Sequence, residues 1–335
     1  MFKKSISFYV TILIISLPVN SNGIDNLNIP KGFEISIYAD NLNSPRQITE
    51  TKNGFIIVGS KNGDKIYALY DKDKDGFAEK RILIKSNLQN PTGVTYHDGN
   101  LYFAEIKDVW VIKEIDSWLL SSENNPPKVE LFMNNLPSET WHGFRHLNFG
   151  PDNNLYIPIG VPCNICLEPQ TKDKRFAAIH KYENGKLVMV ADGVRNSVGI
   201  DWHPVTKKLY FSDNGRDWLG DNSPSCELNV LNKEGSFFGY PFKHAKNVID
   251  PEFGKLIPTV NKEFVDPIAE LGPHVAPLGI AFYDNKKFPE KYKNSLFIAL
   301  HGSWNKYNGK SGYKVVMVIL DENGEYISQR DFITG

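Results

Sequence analysis

The chain reads as an all-β protein of propeller type, and three features lead there. Patterns with the 3.6-residue helical period are scarce over its 335 residues, and the longest candidate helix covers only Asp116 to Ser121. Aromatic residues reach 12%, which suits strands whose faces pack against neighbouring sheets. The third feature is a recurring arrangement: a short apolar strand, a turn built on Asp, Asn or Gly, then a second strand rich in aromatics.

The arrangement first occurs as Gln47-Ile48-Thr49 with Gly54-Phe55-Ile56-Ile57-Val58, and again as Gly93-Val94-Thr95 with Gly99-Asn100-Leu101-Tyr102-Phe103. His146-Leu147-Asn148-Phe149 with Asn154-Leu155-Tyr156-Ile157 is the third copy. The fourth is Gly199-Ile200-Asp201-Trp202 with Lys208-Leu209-Tyr210-Phe211, and the fifth is Gly279-Ile280-Ala281-Phe282 with Ser295-Leu296-Phe297-Ile298. Hairpins repeated at spacings of about 45 to 80 residues predict blades, each a four-stranded sheet. A β-sandwich with chance likeness between hairpins is the plainer alternative, and the constant order of elements argues against it.

Composition narrows the setting. Lysine plus arginine (38) nearly cancels aspartate plus glutamate (39), so no basic face supports a nucleic-acid partner. Lys3 and Lys4 precede an apolar run from Ile6 to Val19, and Val19 and Ser21 stand at −3 and −1 of a cleavage site before Asn22. This is the layout of a secretory signal peptide over residues 1–21, with a mature domain over 22–335 in the periplasm or outside the cell. The run falls short of the roughly 20 apolar residues that span a bilayer.

Three cysteines cannot scaffold a fold of this size. Cys163 and Cys166 form a C-x-x-C pair followed by Leu167, so it is no haem-attachment motif, and one disulfide with one thiol left over is expected. Asp71, Asp73, Asp75 and Gly76 match the opening of a calcium loop, but position twelve is Ile82 where the loop needs a bidentate glutamate. A solvated turn is the expectation there.

Polar clusters flank the later strand copies. Trp141-His142-Gly143-Phe144-Arg145-His146 leads into the third, and Val194-Arg195-Asn196-Ser197 into the fourth, whose second strand runs on into Asp213-Asn214-Gly215-Arg216-Asp217-Trp218. Pro273-His274-Val275-Ala276-Pro277 leads into the fifth, and His301-Gly302-Ser303-Trp304-Asn305 follows it. In a propeller, equivalent strand ends open on one face around the axis, so these groups converge on one pocket. Histidine can take a proton near neutral pH, arginine can hold an anionic oxygen, and tryptophan can stack on a planar ring or a sugar. Any one histidine alone reads as a hydrogen-bonded rim residue. A metal site on His142 and His146 would need a helix, and this segment reads as loop entering strand.

Together, and in this order, these segments resemble the glucose/sorbosone dehydrogenase family, closest to its sorbosone dehydrogenase-like branch; the likeness spans nearly the whole mature chain. It implies a six-bladed propeller of the quinoprotein sugar dehydrogenase type, with pyrroloquinoline quinone and Ca2+ as cofactors. The substrate class implied is an aldose, sorbosone or a related sugar-derived aldehyde, with electrons passed to a periplasmic or membrane acceptor. By position, His142 matches the general base. Arg195 and Asn196 match the pair beside the reactive carbonyl, and Gly215 and Arg216 match the residues whose carbonyls hold calcium. Asn214, His274 and His301 fall among the expected cofactor contacts.

The chain departs from the family at three places. Val161 stands where the histidine-orienting aspartate is expected. Cys226 replaces the aspartate of an Asp-Glu-Leu-Asn stretch, and a disulfide from Cys226 to Cys163 or Cys166 is one pairing the neighbouring loops allow. The sequence also stops at Phe332-Ile333-Thr334-Gly335, inside what reads as a connection to another strand, so a propeller lacking its last blade is expected. A true five-bladed ring is the alternative. Two other functions remain open at this point: a non-catalytic propeller that binds carbohydrate or protein, and a lactonase-like hydrolase with a central metal.

Overall fold

A computed structural model describes residues 23–121 and 125–335. The proposed leader, 1–21, lies outside the described residues. Each predicted hairpin is the inner part of a four-stranded antiparallel blade. The first blade is β1 (Pro45–Glu50), β2 (Ile56–Ser60), β3 (Ile66–Tyr70) and β4 (Lys80–Lys85), hydrogen-bonded in that order. The second is β5 (Gly93–His97), β6 (Asn100–Ala104), β7 (Val109–Ile112) and β8 (Glu130–Met133). Helix α1 (Ile115–Leu120), near the range predicted, lies between β7 and β8.

The third blade is β9 (Asn148–Phe149), β10 (Leu155–Ile159), β11 (Ala178–Glu183) and β12 (Lys186–Asp192), with α2 (Glu168–Lys172) on the loop after β10. The fourth begins with β13 (Ile200–Trp202), β14 (Leu209–Asp213) and β15 (Ser225–Leu231). An excursion then carries β16 (Ser236–Phe237), which joins the edge of the third blade, and the small pair β17 (Lys243–His244) and β18 (Val248–Ile249). The chain returns through β19 (Ala269–Pro273) to complete the blade. The fifth is β20 (Pro277–Phe282), β21 (Leu296–Leu300), β22 (Lys314–Leu320) and β23 (Tyr326–Ile333).

The period-2 pattern explains why blades stack. On β14, Leu209 and Phe211 point into a core shared with Ile179, Val190 and Ala191 of the third blade, whereas Tyr210 points the other way, into a core shared with Leu296 and Ile298 of the fifth. Every inner blade is apolar on both faces for this reason. Phe55, Ile57, Leu101 and Phe103 fill the space between the first two blades, and Leu147, Leu155 and Ile157 pack on Val109 and Met133 between the next two. At about 25 cal/mol per Å² of apolar area removed from water, these interfaces dominate the stability.

The described residues form five blades, the number expected both of a six-bladed propeller lacking its last blade and of a five-bladed ring. Between the fifth and first blades, residues 24–44 bridge the outer part of the ring. Asn28 and Thr334 exchange main-chain hydrogen bonds at 2.6 and 3.1 Å. Phe33 makes edge-to-face contacts with Phe288, Tyr292 and Phe332, and Tyr38 and Leu42 pack on Val58 and Leu69 of the first blade. The inner part of this seam stays open as a cleft of about 730 Å³, which runs along the axis between the five first strands and reaches Phe297 and Val315.

The disulfide joins Cys163 to Cys166, and Cys226 is a free, buried thiol. The alternative pairing through Cys226 is therefore corrected. Cys226 points from β15 into the apolar core against the fifth blade, and burial holds its thiol pKa above the usual value.

Candidate functional site

One face of the propeller carries a cleft of about 100 Å³ lined by His142, Arg195, Asn196, Asn214, Gly215, Arg216 and His274, with Trp304 and Asn305 at its side. All the predicted site residues except His301 thus meet in one place. His301 is exposed and lines the larger axial cleft instead. His146, partly buried and four residues further along than His142, does too; the two imidazoles do not share a site.

His142 is anchored by its main chain and its ring. Its φ of 53° puts a non-glycine residue in the left-handed region, as do His274 (58°) and Ala276 (48°), so three lining residues carry backbone strain. Nδ1 lies 2.7 Å from the Val161 carbonyl oxygen. A carbonyl only accepts, so Nδ1 holds the proton and Nε2 presents its lone pair. The Trp141 indole N–H donates to that lone pair at 3.1 Å. Burial, then the nearby Arg195 charge, push the imidazole pKa down to about 3, so the ring is neutral at ordinary pH. Gly160 lets the ring in: a Cβ there would sit 2.7 Å from both the His142 Cβ and the Asn196 Oδ1.

Arg195 is buried, and three of its five N–H donors bond to the protein, with the Asp217 carboxylate 3.9 Å away. Nε donates to the Asn164 carbonyl at 2.9 Å, Nη2 to Asn164 Oδ1 at 2.9 Å, and Nη1 to the Asn214 carbonyl at 3.0 Å. The expected open fork toward an anion is therefore replaced by a fixed positive charge beneath the cleft. Sequence reasoning missed Asn164, whose Oδ1 also accepts from the Asp217 N–H at 2.7 Å. The signal was the polar residue inside a C-x-x-C pair that suits neither haem nor zinc; the Cys163–Cys166 bridge holds that turn.

Asp213 sits beneath. Its oxygens accept the main-chain N–H groups of Arg195 (2.8 Å) and Asn196 (2.7 Å), and the Asn214 amide donates to the carbonyls of Asn196 and Pro277. Both side chains thus tie the main chain of neighbouring strand ends together. Arg216 is locked by Asp250 and Glu252, while Asp250 also meets His244 Nε2 at 2.9 Å. The charged side chains of the site hold its loops in place.

Two loops from neighbouring blades are stitched together at the rim. Asp221 accepts the N–H groups of Tyr307 (2.8 Å) and Asn308 (2.7 Å), Asn305 donates to Asp217, and His274 Nε2 donates to the Gly220 carbonyl at 2.8 Å. His274 thus braces a loop while lining the cleft. These loops carry Trp218 and Trp304 in edge-to-face contact at 5.9 Å, exposed by 67% and 73%. Trp141, against His142, is exposed as well.

A planar, anionic quinone fits this donor set at its reactive end: a neutral base, a buried guanidinium and the Asn196 amide face one cleft, with Gly215 and Arg216 on its lining. Elsewhere, Asp71, Asp73 and Asp75 meet Glu79 with ligand atoms within 4.8 Å of one another. Asp71 also accepts the N–H groups of Lys74 (2.6 Å) and Gly76 (2.9 Å), so the loop closes as a self-bonded turn.

Comparison with known proteins agrees with this architecture. An uncharacterized protein of Borreliella burgdorferi is 36% identical over 318 residues, which cover 92% of this chain and 81% of that protein. A pyrroloquinoline quinone-dependent pyranose dehydrogenase of Coprinopsis cinerea is 25% identical over 87% of this chain, which spans 44% of that protein's length. Among solved structures, the calcium structure of the Trichoderma reesei carbohydrate-active enzyme of family AA12 superposes with a TM-score of 0.76 at 20% identity, covering 92% of this chain and 87% of that one. Residues 58–301 match the family described as "Domain of unknown function (DUF7133)", and it is to this family that the chain belongs.

Proposed function

We propose that the protein is an exported oxidoreductase that oxidises a sugar or sugar-derived aldehyde with pyrroloquinoline quinone and calcium. The observation that carries this reading is the His142 imidazole, held neutral with Nδ1–H on Val161 and Nε2 facing a cleft that also holds Arg195 and Asn196. A base in this state can take a proton from a sugar hydroxyl at Nε2 once the Trp141 indole yields its place. The buried Arg195 charge favours negative charge developing in front of it, and Asn164 fixes where that charge stands. Trp218 and Trp304 offer an aromatic platform for the sugar ring. The quinone, when bound, supplies the acceptor for hydride. The likeness to the Coprinopsis and Trichoderma proteins supports the same reading.

Titration of the signal-free protein with pyrroloquinoline quinone and calcium, followed by quinone absorbance, tests it. Saturable binding, then bleaching on addition of an aldose, is expected; no binding at any calcium concentration would sink it.

A non-catalytic carbohydrate-binding propeller is the second reading, favoured by Val161 in place of a carboxylate and by the exposed tryptophan pair. Under it, His142→Ala leaves sugar binding intact and there is no turnover to lose.

A further inference from the structure

In the free protein the working nitrogen of His142 is already taken by its neighbour. Trp141 and His142 are the central residues of a turn closed by the Gly143 N–H on the Thr140 carbonyl at 3.1 Å. His142, the third residue of that turn, has a φ of 53°, the positive sign that type II turns have there. Gly143 cannot be exchanged, because a Cβ would stand 2.1 Å from the Glu139 carbonyl oxygen. The turn sets the two side chains against each other, with ring centroids 6.1 Å apart and planes at 85°.

The contact is chemically exclusive. Nδ1 of His142 bonds to the Val161 carbonyl and so carries the ring proton, which leaves Nε2 with a single lone pair. The Trp141 indole N–H takes that lone pair at 3.1 Å. An indole nitrogen donates and does not accept, so while this bond stands Nε2 can neither hold a proton nor receive a hydroxyl hydrogen. The contact is also lightly held. Among the described residues, the Trp141 side chain has one hydrogen bond and one ring contact, both with His142, and it joins none of the apolar cores. Its surface is 56% exposed. Arg195, Asp213 and Asn214 are each tied to the main chain of other strand ends, whereas the indole is free to turn outward once one bond breaks. The net worth of such a bond is small enough to be given up at each binding event.

We infer that Trp141 is a displaceable cap on His142, a positioning residue that acts through the imidazole. In the free protein its N–H stands where a ligand hydroxyl must stand, and a ligand reaches Nε2 only by turning the indole out toward solvent. The cap also selects among ligands. A molecule with a hydroxyl to offer Nε2 replaces the bond it breaks, and one without leaves the lone pair unpaired. The inference deepens the function proposed above and rests on it for the ligand being a sugar, but not for the cap itself.

The test compares the signal-free protein with Trp141→Phe, which keeps a ring and removes the donor. Diethyl pyrocarbonate acylates an imidazole at a free lone pair, and peptide mapping by mass spectrometry separates His142 from the other histidines. In the ligand-free protein near pH 7, the His142 rate should rise about 2- to 10-fold in Trp141→Phe, the factor set by the net worth of one hydrogen bond. In wild-type protein labelled at its tryptophan and histidine nitrogens, a coupling through the hydrogen bond should connect Trp141 Nε1 with His142 Nε2. With pyrroloquinoline quinone, calcium and an aldose that the wild type turns over, Trp141→Phe should lower KM by up to the same factor at unchanged kcat, since the bond removed exists only before the sugar binds. A faster His142 reaction in Trp141→Phe, from a protein that binds no quinone, keeps the cap and removes the oxidoreductase reading. Equal His142 rates, no coupling between the two nitrogens, or a raised KM in Trp141→Phe would each overturn the inference. The coupling is read on the wild-type chain, so it decides the matter whether or not Trp141→Phe folds.

Discussion

The Nδ1 of His142 lies 2.7 Å from the main-chain oxygen of Val161. A main-chain carbonyl thus occupies the place where the sequence resemblance calls for a carboxylate side chain. It performs one part of that carboxylate's work, fixing which ring nitrogen carries the proton. It does not supply the negative charge that would stabilise a protonated ring, and the nearby Arg195 disfavours that form further. The imidazole is a pre-oriented but weak base.

Replacing His142 with alanine should therefore cost turnover by about 10²- to 10⁴-fold, the range for loss of a positioned proton acceptor, while quinone absorbance on titration stays near wild type. Steady-state kinetics beside a binding titration separates the two. Loss of cofactor binding with unchanged kcat would assign His142 to binding alone.

The same geometry makes a spectroscopic prediction for the ligand-free protein. His142 should show the Nδ1–H tautomer by nitrogen chemical shifts and stay neutral as pH falls through 6.5, protonating only near its pKa of about 3. Titration with a midpoint near 6 would contradict the burial and Arg195 effects together.

Much of the fold was legible because each inner hairpin alternates between two buried faces. Leu209, Tyr210 and Phe211 show this in three consecutive residues. The outer strands were harder to see: β4, with Lys80, Arg81 and Lys85 exposed, has only one face to bury. The polar clusters at the inner strand ends were legible as a converging site for the same topological reason, although His301 lines the axial cleft instead. Roles played by the main chain leave no trace in residue identity, so the Val161 carbonyl could not be foreseen.

The tryptophan pair gives a prediction about substrate. Trp304 lines the cleft and Trp218 touches it at 5.9 Å, both largely exposed. Exposed aromatics in mutual contact on a polar rim are characteristic of recognition surfaces. Trp304→Ala should raise KM for the sugar several-fold with kcat little changed, as expected for contacts made equally in ground and transition states. Trp218→Ala should do the same more weakly. Intrinsic fluorescence of the wild-type protein should respond to saturating sugar, and that response should shrink in Trp304→Ala.

Stability should depend on pH through Glu227. This carboxyl is buried opposite Asp213 on the paired strands β14 and β15, and burial followed by that neighbouring charge raises its pKa well above the usual value. The folded state therefore holds a proton that the unfolded chain releases above the ordinary carboxylate range. Its contribution is complete at low pH and is lost as pH rises toward the folded value. A protonated acid has a partner here once one amide is turned over. Glu227 Oε1 accepts the Ala245 N–H at 2.6 Å, and Oε2 lies 2.9 Å from the amide nitrogen of Asn229, whose Oδ1 is buried without a partner. Turning that amide over lets Glu227 O–H donate to the orphaned oxygen. Glutamine reproduces this arrangement, accepting from Ala245 and donating to Asn229. Glu227→Gln should therefore match the wild-type unfolding midpoint near pH 5 and exceed it at pH 8, with a flatter slope between. A midpoint for Glu227→Gln below wild type at every pH would mean that Glu227 is ionised in the fold.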